Sequence, residues 1–228
     1  MNPRHHLDEA TLVSYAAGAL SDGMRAVAAT HLEACGHCRE QLAGAERIGG
    51  VLLSQRQPGP ELGGLARLRA EMLARLDATA QERAPLGEEA PGLETAPGMS
   101  DTDLLPHPLR PYFGSSWRAL RWRWTAPGVH MIRAGRPSGD TLIMLKIAPG
   151  KSMPVHSHGG AELTQVLKGA YDDALGHFGP GDMADLDCDI EHQPVTSPGV
   201  PCICVAALDE PLRFPGWIAR KLQPLVRL

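Results

Sequence analysis

One histidine and two cysteines stand at helical spacing near the N-terminus. His31, Cys35 and Cys38 follow one another at intervals of four and three residues, which places their side chains on one face of an α-helix. An imidazole and two thiolates that converge in this way supply three of the four ligands that a tetrahedral Zn²⁺ ion prefers. The fourth ligand must come from elsewhere, and the adjacent pair His5 and His6 is the nearest candidate.

Two other interpretations of this cluster compete with zinc. Cys35 and Cys38 have the spacing of a redox Cys-x-x-Cys motif, but that motif expects a βαβ context, whereas the flanking sequence has a helical pattern. In the second interpretation, the cysteines are small buried packing residues and His31 is a solvated helix residue. His37 lies one step off the shared face and is expected to point to solvent. We predict a zinc site that holds a small helical domain together.

Apolar residues recur at helical spacing over the first third of the chain. Three helices are predicted over 7–20, from about 21 to the cluster, and over 39–54. A fourth is predicted over 65–81, and segments rich in Pro and Gly isolate it on both sides. An apolar stripe of this kind must be buried, either on the preceding helices or on a partner protein.

Changes in composition and pattern along the chain define the predicted domains. A helical domain over 1–83 is followed by residues 84–111, which are rich in Pro, Gly and Glu and are predicted to be a flexible linker. Over 112–228 short strands alternate with Gly/Pro turns, which indicates an all-β sandwich or barrel. The predicted fold class is therefore two-domain α + β. Strands are expected over 120–124, 129–133, 141–147, 162–167, 202–208 and 219–228.

A second set of metal-ligand residue types lies in the predicted β domain. His156 and His158 are two residues apart, so on a strand their side chains face the same side, and Glu162 returns to that face after a Gly-Gly turn. The segment from Gly150 to Gly169 resembles the first motif of the cupin superfamily at every fixed position: Gly, five residues, His-x-His, three residues, Glu, six residues, Gly. A chance match to all of these positions is improbable.

The second cupin motif is matched only in part. Counting from Gly181 keeps the glycine and puts His192 at the histidine position, while Asp187, Asp189 and Thr196 replace the expected Pro, Gly and Asn. Three imidazoles and a carboxylate favour Zn²⁺ or another divalent transition metal over Mg²⁺ or Ca²⁺. The alternative is a cupin that has lost its metal and kept these side chains packed. The resemblance implies the ligand set His156, His158, Glu162 and His192.

The two halves together resemble the ChrR-type zinc anti-sigma factors, in which a zinc-binding anti-sigma domain is fused to a cupin domain. The resemblance covers nearly the whole chain, with the cupin motifs behind and Arg4-His5-His6, Ala16-Ala17-Gly18 and Ala29-Thr30-His31-Leu32 at the front. It favours His6 over His5. The first zinc site that it implies consists of His6, His31, Cys35 and Cys38.

The function that this resemblance implies is regulatory. In that family the helical domain sequesters an extracytoplasmic-function sigma factor, expected here as a 1:1 complex, and the cupin domain is needed for release under oxidative, singlet-oxygen-like stress. No catalytic residue and no enzymatic activity are implied. Two other classes remain: a metal-dependent cupin enzyme, a dioxygenase or hydrolase with a helical accessory domain, and a structural metal-binding module.

Charge and composition agree with a protein-binding regulator. A formal net charge of −4 and a pI near 6.2 argue against nonspecific binding to nucleic acid or an anionic membrane. No apolar run approaches the roughly 20 residues of a spanning helix, and the first residues lack the pattern of a signal peptide. The odd number of cysteines suits a reducing compartment. We expect a cytoplasmic protein that contacts neither nucleic acid nor membrane directly.

Three cysteines lie outside the first cluster. Cys202 and Cys204 share one face of a predicted strand and are either small core residues or sensing thiols. Cys188 stands between two aspartates, which should raise its pKa and make it a poor sensor.

Overall fold

The computed structural model describes residues 3–56, 64–82, 103–134 and 140–213. The chain divides into two compact units, Met1–Gly50 with Asp103–Leu228, and Val51–Thr102. No helix within the described ranges is long and apolar enough to cross a membrane. The helices are Glu9–Ala16 (α1), Asp22–Ala34 (α2), Gly36–Gln55 (α3), Leu65–Glu82 (α4) and Arg110–Phe113 (α5).

The β part of the first unit contains eleven described strands, of which the longest form one antiparallel sheet. Its strand order is β1-β2-β3-β10-β5-β8, while β7-β6-β9 and β11-β4 form smaller sheets. The strands are Arg123–Ala126 (β1), Val129–Arg133 (β2), Thr141–Ile147 (β3), Ser157–His158 (β4), Glu162–Lys168 (β5), Tyr171–Asp173 (β6), Gly176–Phe178 (β7), Met183–Leu186 (β8), Val195–Thr196 (β9), Cys202–Leu208 (β10) and Leu212–Arg213 (β11).

Most of the predicted strands agree with this sheet, and one begins later than expected. The strands predicted over 129–133, 141–147 and 202–208 are confirmed, and the one over 162–167 extends to Lys168. The prediction over 120–124 is wrong at its start, because pairing with β2 begins only at Arg123, opposite Met131. Leu120 packs against the core without a strand partner. The strand predicted over 219–228 lies outside the described residues.

Helix α2 begins where a carboxylate from the β part takes the place of a local cap. The Oδ2 atom of Asp140 accepts hydrogen bonds from the Gly23 amide at 2.6 Å and from the Ser21 hydroxyl at 2.7 Å. Free amides at a helix N-terminus favour such an anionic acceptor. A Cβ atom on Gly23 would meet the Asp140 carboxylate and lie 3.2 Å from Leu142 Cβ. A glycine at this position therefore lets α2 approach the sheet closely.

The central strands β3, β10 and β5 are buried on both faces. Because side chains alternate along a strand, one face packs against α2 and the other faces the interior of the β part. The near-continuous burial of β10 follows from this position. The helix-facing core combines Met24, Val27, Ala28 and Leu32 of α2 with Leu142, Met144, Leu163, Val205 and Ala207 of the sheet.

The region predicted to be a linker over 84–111 is only partly described. Residues 84–102 lie outside the described ranges, whereas residues 103–111 contain a short 3-10 helix, His107–Leu109, and the start of α5. Leu105 and Leu109 are almost fully buried in the helix-facing core. The burial of these two leucines was not predicted, because the Pro-rich composition of the segment indicated a flexible linker. The boundaries 1–83 and 112–228 remain a prediction.

Helix α4 in the second unit exposes its apolar stripe. Leu65, Leu68, Met72, Leu73 and Leu76 are each about half exposed or more. Exposed apolar residues on consecutive turns of one helix are a feature of interaction surfaces.

Replacing Leu142 by alanine tests whether α2 and the sheet share one core. We expect the free energy of unfolding to fall by about 2–5 kcal/mol, because a buried leucine is truncated to leave a cavity. Urea unfolding followed by far-UV circular dichroism for the helices and near-UV signals for the β part should show both transitions moving together. Val200→Ala, at an exposed position, is the control. Helical unfolding at an unchanged midpoint in Leu142→Ala would contradict the shared core.

Candidate metal centres

Four side chains meet where α2 ends and α3 begins. The ligand atoms of His6, His31, Cys35 and Cys38 all lie within 4.8 Å of one another. His31 Nε2 is 3.3 Å from Cys38 Sγ, and His6 Nδ1 is 3.2 Å from Cys35 Sγ. These are the residue types of a Cys₂His₂ zinc site. The structure thus brings together all four side chains that the resemblance implied.

The convergence does not arise on one continuous helix, as the spacing had suggested. Helix α2 stops at Ala34, and Cys35 has an extended backbone with φ −109° and ψ 107°. Helix α3 begins at the next residue, so Cys38 projects from its first turn. The Cys35 thiol accepts a hydrogen bond from the Cys38 amide at 3.4 Å. A corner between two helices therefore positions the ligands.

The β part holds His31 in one orientation. Its Nδ1 atom lies 2.9 Å from the carbonyl oxygen of Gly181, and a carbonyl can only accept, so Nδ1 carries the proton. Nε2 is left with a free lone pair that faces the thiols. Burial lowers the pKa of His31, which keeps the imidazole neutral. Neutral imidazoles of this kind are the usual form of a metal-ligating histidine.

Burial also shifts the pKa of two other members of the cluster, His6 and Cys38. It lowers the pKa of His6, which the neighbouring His37 lowers further. It raises the pKa of the Cys38 thiol to about 11. A thiolate is the form that binds a metal, so this buried thiol needs a cation beside it to be charged near neutral pH.

His5 and His37 stand beside the cluster without joining it. The His5 ring stacks on Phe178 at a centroid distance of 4.1 Å, and its Nε2 atom is 3.1 Å from the carbonyl oxygen of His177. His37 is exposed, as the sequence predicted, with its ring 4.5 Å from that of His6. Spacing alone left His5 and His6 open as ligands, and the structure brings His6 into the cluster while the His5 ring packs against the β part.

Three histidines of the cupin motifs meet inside the β part. The ligand nitrogens of His156, His158 and His192 lie within 4.8 Å of one another. The backbones of His156 and His192 exchange two hydrogen bonds, 3.1 Å and 3.0 Å long. His158 ends β4, beside them. The partial second motif thus still delivers His192 to the histidines of the first.

The hydrogen bonds of the His156 and His192 rings leave their two Nε2 atoms facing each other. His156 Nδ1 lies 2.9 Å from the Pro154 carbonyl oxygen, and His192 Nδ1 lies 3.0 Å from a carboxylate oxygen of Asp173. Both Nδ1 atoms therefore carry the proton, and the two Nε2 lone pairs face each other at 3.1 Å. Two lone pairs at that distance repel each other unless a cation lies between them. The donor set therefore fits a metal ion.

Glu162 contacts the third histidine. Its Oε2 atom is 2.9 Å from His158 Nε2, and its Oε1 accepts a hydrogen bond from the Thr164 hydroxyl at 2.7 Å. Burial alone would raise the pKa of Glu162, but contacts with His158 and the Thr164 hydroxyl together outweigh burial and lower it. Burial alone would lower the pKa of His158, but Glu162 and Asp187 together raise it. The Glu162 carboxylate is therefore the polar neighbour that this almost fully buried ring needs.

A cavity of about 520 Å³ opens beside the histidines. Its walls are largely aliphatic, and His156, His192 and Glu162 contribute to one part of them. This volume lies in the range of small-molecule sites. Among the aliphatic residues that line it are Val129, Ile143, Leu145, Ile147 and Leu208.

Sequence reasoning missed the groups that orient the ligands. Asp173 faces His192, and both side chains are almost fully buried. Gly181 offers only its backbone carbonyl to His31, and Thr164 supports Glu162. No spacing rule connects Gly181 with His31 or Asp173 with His192, because their proximity depends on how the strands pair. Groups of this kind fix tautomer and ring orientation in metal sites.

Comparison with known proteins places this combination of a cupin domain and a helical module with a His/Cys cluster among regulators of transcription. Residues 114–210 match the ChrR cupin-like domain family. The chain is 37% identical to the anti-sigma-E factor ChrR of Cereibacter sphaeroides, in an alignment that covers the full length of both chains. The chain belongs to the ChrR family of anti-sigma factors. The crystal structure of Rhodobacter sphaeroides SigE in complex with the anti-sigma ChrR aligns with a TM-score of 0.71 and 32% identity, covering 92% of this chain and 100% of that one.

The five cysteines differ in exposure, which predicts their reactivity. Cys35, Cys38, Cys202 and Cys204 are buried, and Cys188 alone is exposed. We expect a thiol-specific dye to label one cysteine rapidly in the native chain and all five after unfolding, because buried thiols are shielded from the reagent. Cys188→Ser should abolish the rapid phase. Rapid labelling that survives in this variant would contradict the burial of the other four.

Proposed function

We propose that this chain is an anti-sigma factor whose helical domain, residues 1–83, binds an extracytoplasmic-function sigma factor in a 1:1 complex. The observation that carries the proposal is the full-length similarity to ChrR, a relative whose solved structure is a complex with SigE. The partner acts on RNA polymerase, so we assign the chain to the cytoplasm. The proposal needs no direct contact with nucleic acid or membrane.

The apolar stripe of α4 is the surface that best suits this partner. Its five large apolar residues recur at helical spacing and are exposed, while Arg67, Arg69 and Glu71 lie outside the stripe. A helix of this kind binds by placing its apolar face in a groove of its partner. The last turns of α3 add four further exposed aliphatic residues, Ile48, Val51, Leu52 and Leu53.

The proposal assigns a structural zinc ion to the N-terminal cluster. His6, His31, Cys35 and Cys38 would hold it, and the binding energy would stabilise the corner between α2 and α3. The four residues are contributed by three segments, residues 3–6, α2 with Cys35 after it, and the first turn of α3. Zinc here would therefore maintain the shape of the helical domain rather than take part in a reaction.

The proposal assigns the sensory role to the β part, residues 112–228. His156, His158 and His192 would bind a divalent transition metal, with Glu162 as the fourth ligand, and the adjacent cavity would admit a small molecule. The opposed Nε2 atoms and the cavity volume support this assignment. The signal that we propose is oxidative, of the singlet-oxygen type, and the response is release of the sigma factor.

Serine replacements at Cys35 and Cys38 test the structural zinc ion. Each variant should lose one equivalent of zinc and part of its helical signal, because metal binding and folding are coupled at such sites. Cys188→Ser is the matched control, since this cysteine is exposed and outside both clusters. Metal analysis and far-UV circular dichroism are the measurements. Full zinc content and helicity in Cys35→Ser would exclude the site.

Glutamate replacements at Leu68 and Met72 test the binding surface. Each should weaken the complex with the sigma factor by about 30-fold or more, the effect of losing a contact worth at least about 2 kcal/mol at a binding hot spot. Neither should alter folding, because both positions are exposed. Titration calorimetry with the purified sigma factor is the measurement.

Two controls accompany this titration. Arg69→Ala changes an exposed residue of the same helix outside the apolar stripe and should bind normally. His156→Ala changes the proposed sensory site and should also bind normally. Unchanged affinity in both glutamate variants would exclude α4 as the contact surface, and absence of any complex with the parent chain would exclude the proposed function.

A further inference from the structure

Two consecutive residues of the β part contact the N-terminal cluster from outside. Gly181 and Asp182 form the turn between β7 and β8, and we call this pair the clasp. The segment that carries His6, residues 3–6, runs directly across it, and a Cβ atom on Gly181 would lie 3.3 Å from Pro3 Cγ. Gly181 has φ +95°, a conformation that favours glycine.

Asp182 binds the backbone of the segment that leads to His6. Its Oδ1 atom accepts hydrogen bonds from the amides of Arg4 at 2.5 Å and His5 at 3.1 Å. Its Oδ2 atom accepts one from the Gly179 amide at 2.8 Å. The carboxylate is 5% exposed, and within the described ranges no Lys or Arg side chain pairs with it. Backbone amides therefore satisfy this buried charge, and two of them belong to the segment that carries His6.

The clasp makes a further contact with α2, and the residue after the clasp makes one with the segment that carries His6. The carbonyl of Gly181 accepts the Nδ1 proton of His31. The amide of Met183, the next residue, donates to the carbonyl of His5 at 3.2 Å. This short stretch of the β part thus places both histidines of the N-terminal cluster, His31 through its ring and His6 through the backbone of the two residues before it.

We infer that Gly181 and Asp182 are positioning residues of the N-terminal metal centre, so that the β part sets part of the metal affinity of the helical domain. The inference rests on the zinc site of the proposed function. Coupling between binding events is reciprocal, so metal bound at the cluster also strengthens the docking of α2 and residues 3–6 on the β part.

The strand that carries Glu162 also holds the clasp in place. Four residues along β5, the carbonyl of Val166 accepts from the Gly181 amide at 2.8 Å, and the Val166 amide donates to the Asp182 carbonyl at 3.1 Å. On β5, Glu162 and Thr164 face the cavity, while Leu163 packs in the core shared with α2. A displacement of β5 caused by events in the cavity would therefore reach the clasp through backbone hydrogen bonds.

Cobalt binding to the full chain tests this inference. Thiolate-to-Co²⁺ absorption that disappears in Cys35→Ser reports the N-terminal cluster. This assignment is needed because Cys202 and Cys204 line the cavity beside the β-part histidines. In competition with a chelator, Asp182→Ala should weaken Co²⁺ binding at this cluster by about 10–100-fold, the usual effect of losing a group that orients metal ligands. Asp182→Asn should recover part of the affinity, since its side-chain oxygen still accepts from the Arg4 and His5 amides.

The control is Asp172→Asn, which removes an exposed carboxylate of the neighbouring strand β6 that bonds only His177 and Ser197 among the described residues. It should bind Co²⁺ like the parent. Near-UV circular dichroism checks the β part of each variant, and if Asp182→Ala fails to fold, the comparison of Asp182→Asn with Asp172→Asn decides. A further expected result is that metal raises the urea midpoint of the parent more than that of the Asp182 variants.

The outcomes separate the two proposals. If the parent shows thiolate absorption and folded Asp182→Ala binds Co²⁺ as tightly as the control, within about twofold, the positioning role is overturned and the zinc site stands. Absence of thiolate absorption in the parent would overturn the zinc site and the inference with it. Weaker binding in Asp182→Ala with partial recovery in Asp182→Asn supports both.

Discussion

Burial of α2 against the central strands is the constraint on which the rest of the molecule depends. Val27 and Ala28 are fully buried in that contact, so α2 cannot rotate or slide without losing packing. Its N-terminus is held by Asp140 and its C-terminal turn by the Gly181 carbonyl. His31 therefore reaches the cluster with one ring orientation. The sheet that receives α2 has its other face on the cavity, so one set of strands supports both candidate metal centres.

The two centres use the same device to orient imidazoles. In His31, His156 and His192 the Nδ1 proton goes to a carbonyl or carboxylate oxygen, and Nε2 faces another member of the same cluster. Such partners determine the tautomer and limit ring motion before any ion binds. The two centres differ in where these hydrogen-bond partners lie in the chain. The partners of His156 and His192 belong to the β part itself, whereas the partner of His31 lies in a different segment of the chain from the helix that carries the ligand.

Helix α4 contrasts with this arrangement. The first unit buries most of its large apolar residues in core clusters, while α4 leaves its stripe exposed. An amphipathic helix gains most of its stability from burial of its apolar face. A partner that covers the α4 stripe would therefore order and bind the helix in one step. This division suits a regulator in which one part is kept rigid and another is reserved for the target.

The sequence predicts best those features that depend on residues close together in the chain. The cupin histidines, Glu162, the Cys-x-x-Cys pair and most strands could be predicted, because periodicity and motif spacing act within a few residues. Only the folded chain revealed where the His5 ring packs, the helix break at Cys35, the packing of α2 on the sheet and the burial of Leu105 and Leu109. It also supplied Asp173 and the clasp. Each of these depends on segments far apart in the chain, and no local pattern encodes which strand edge will meet which helix end.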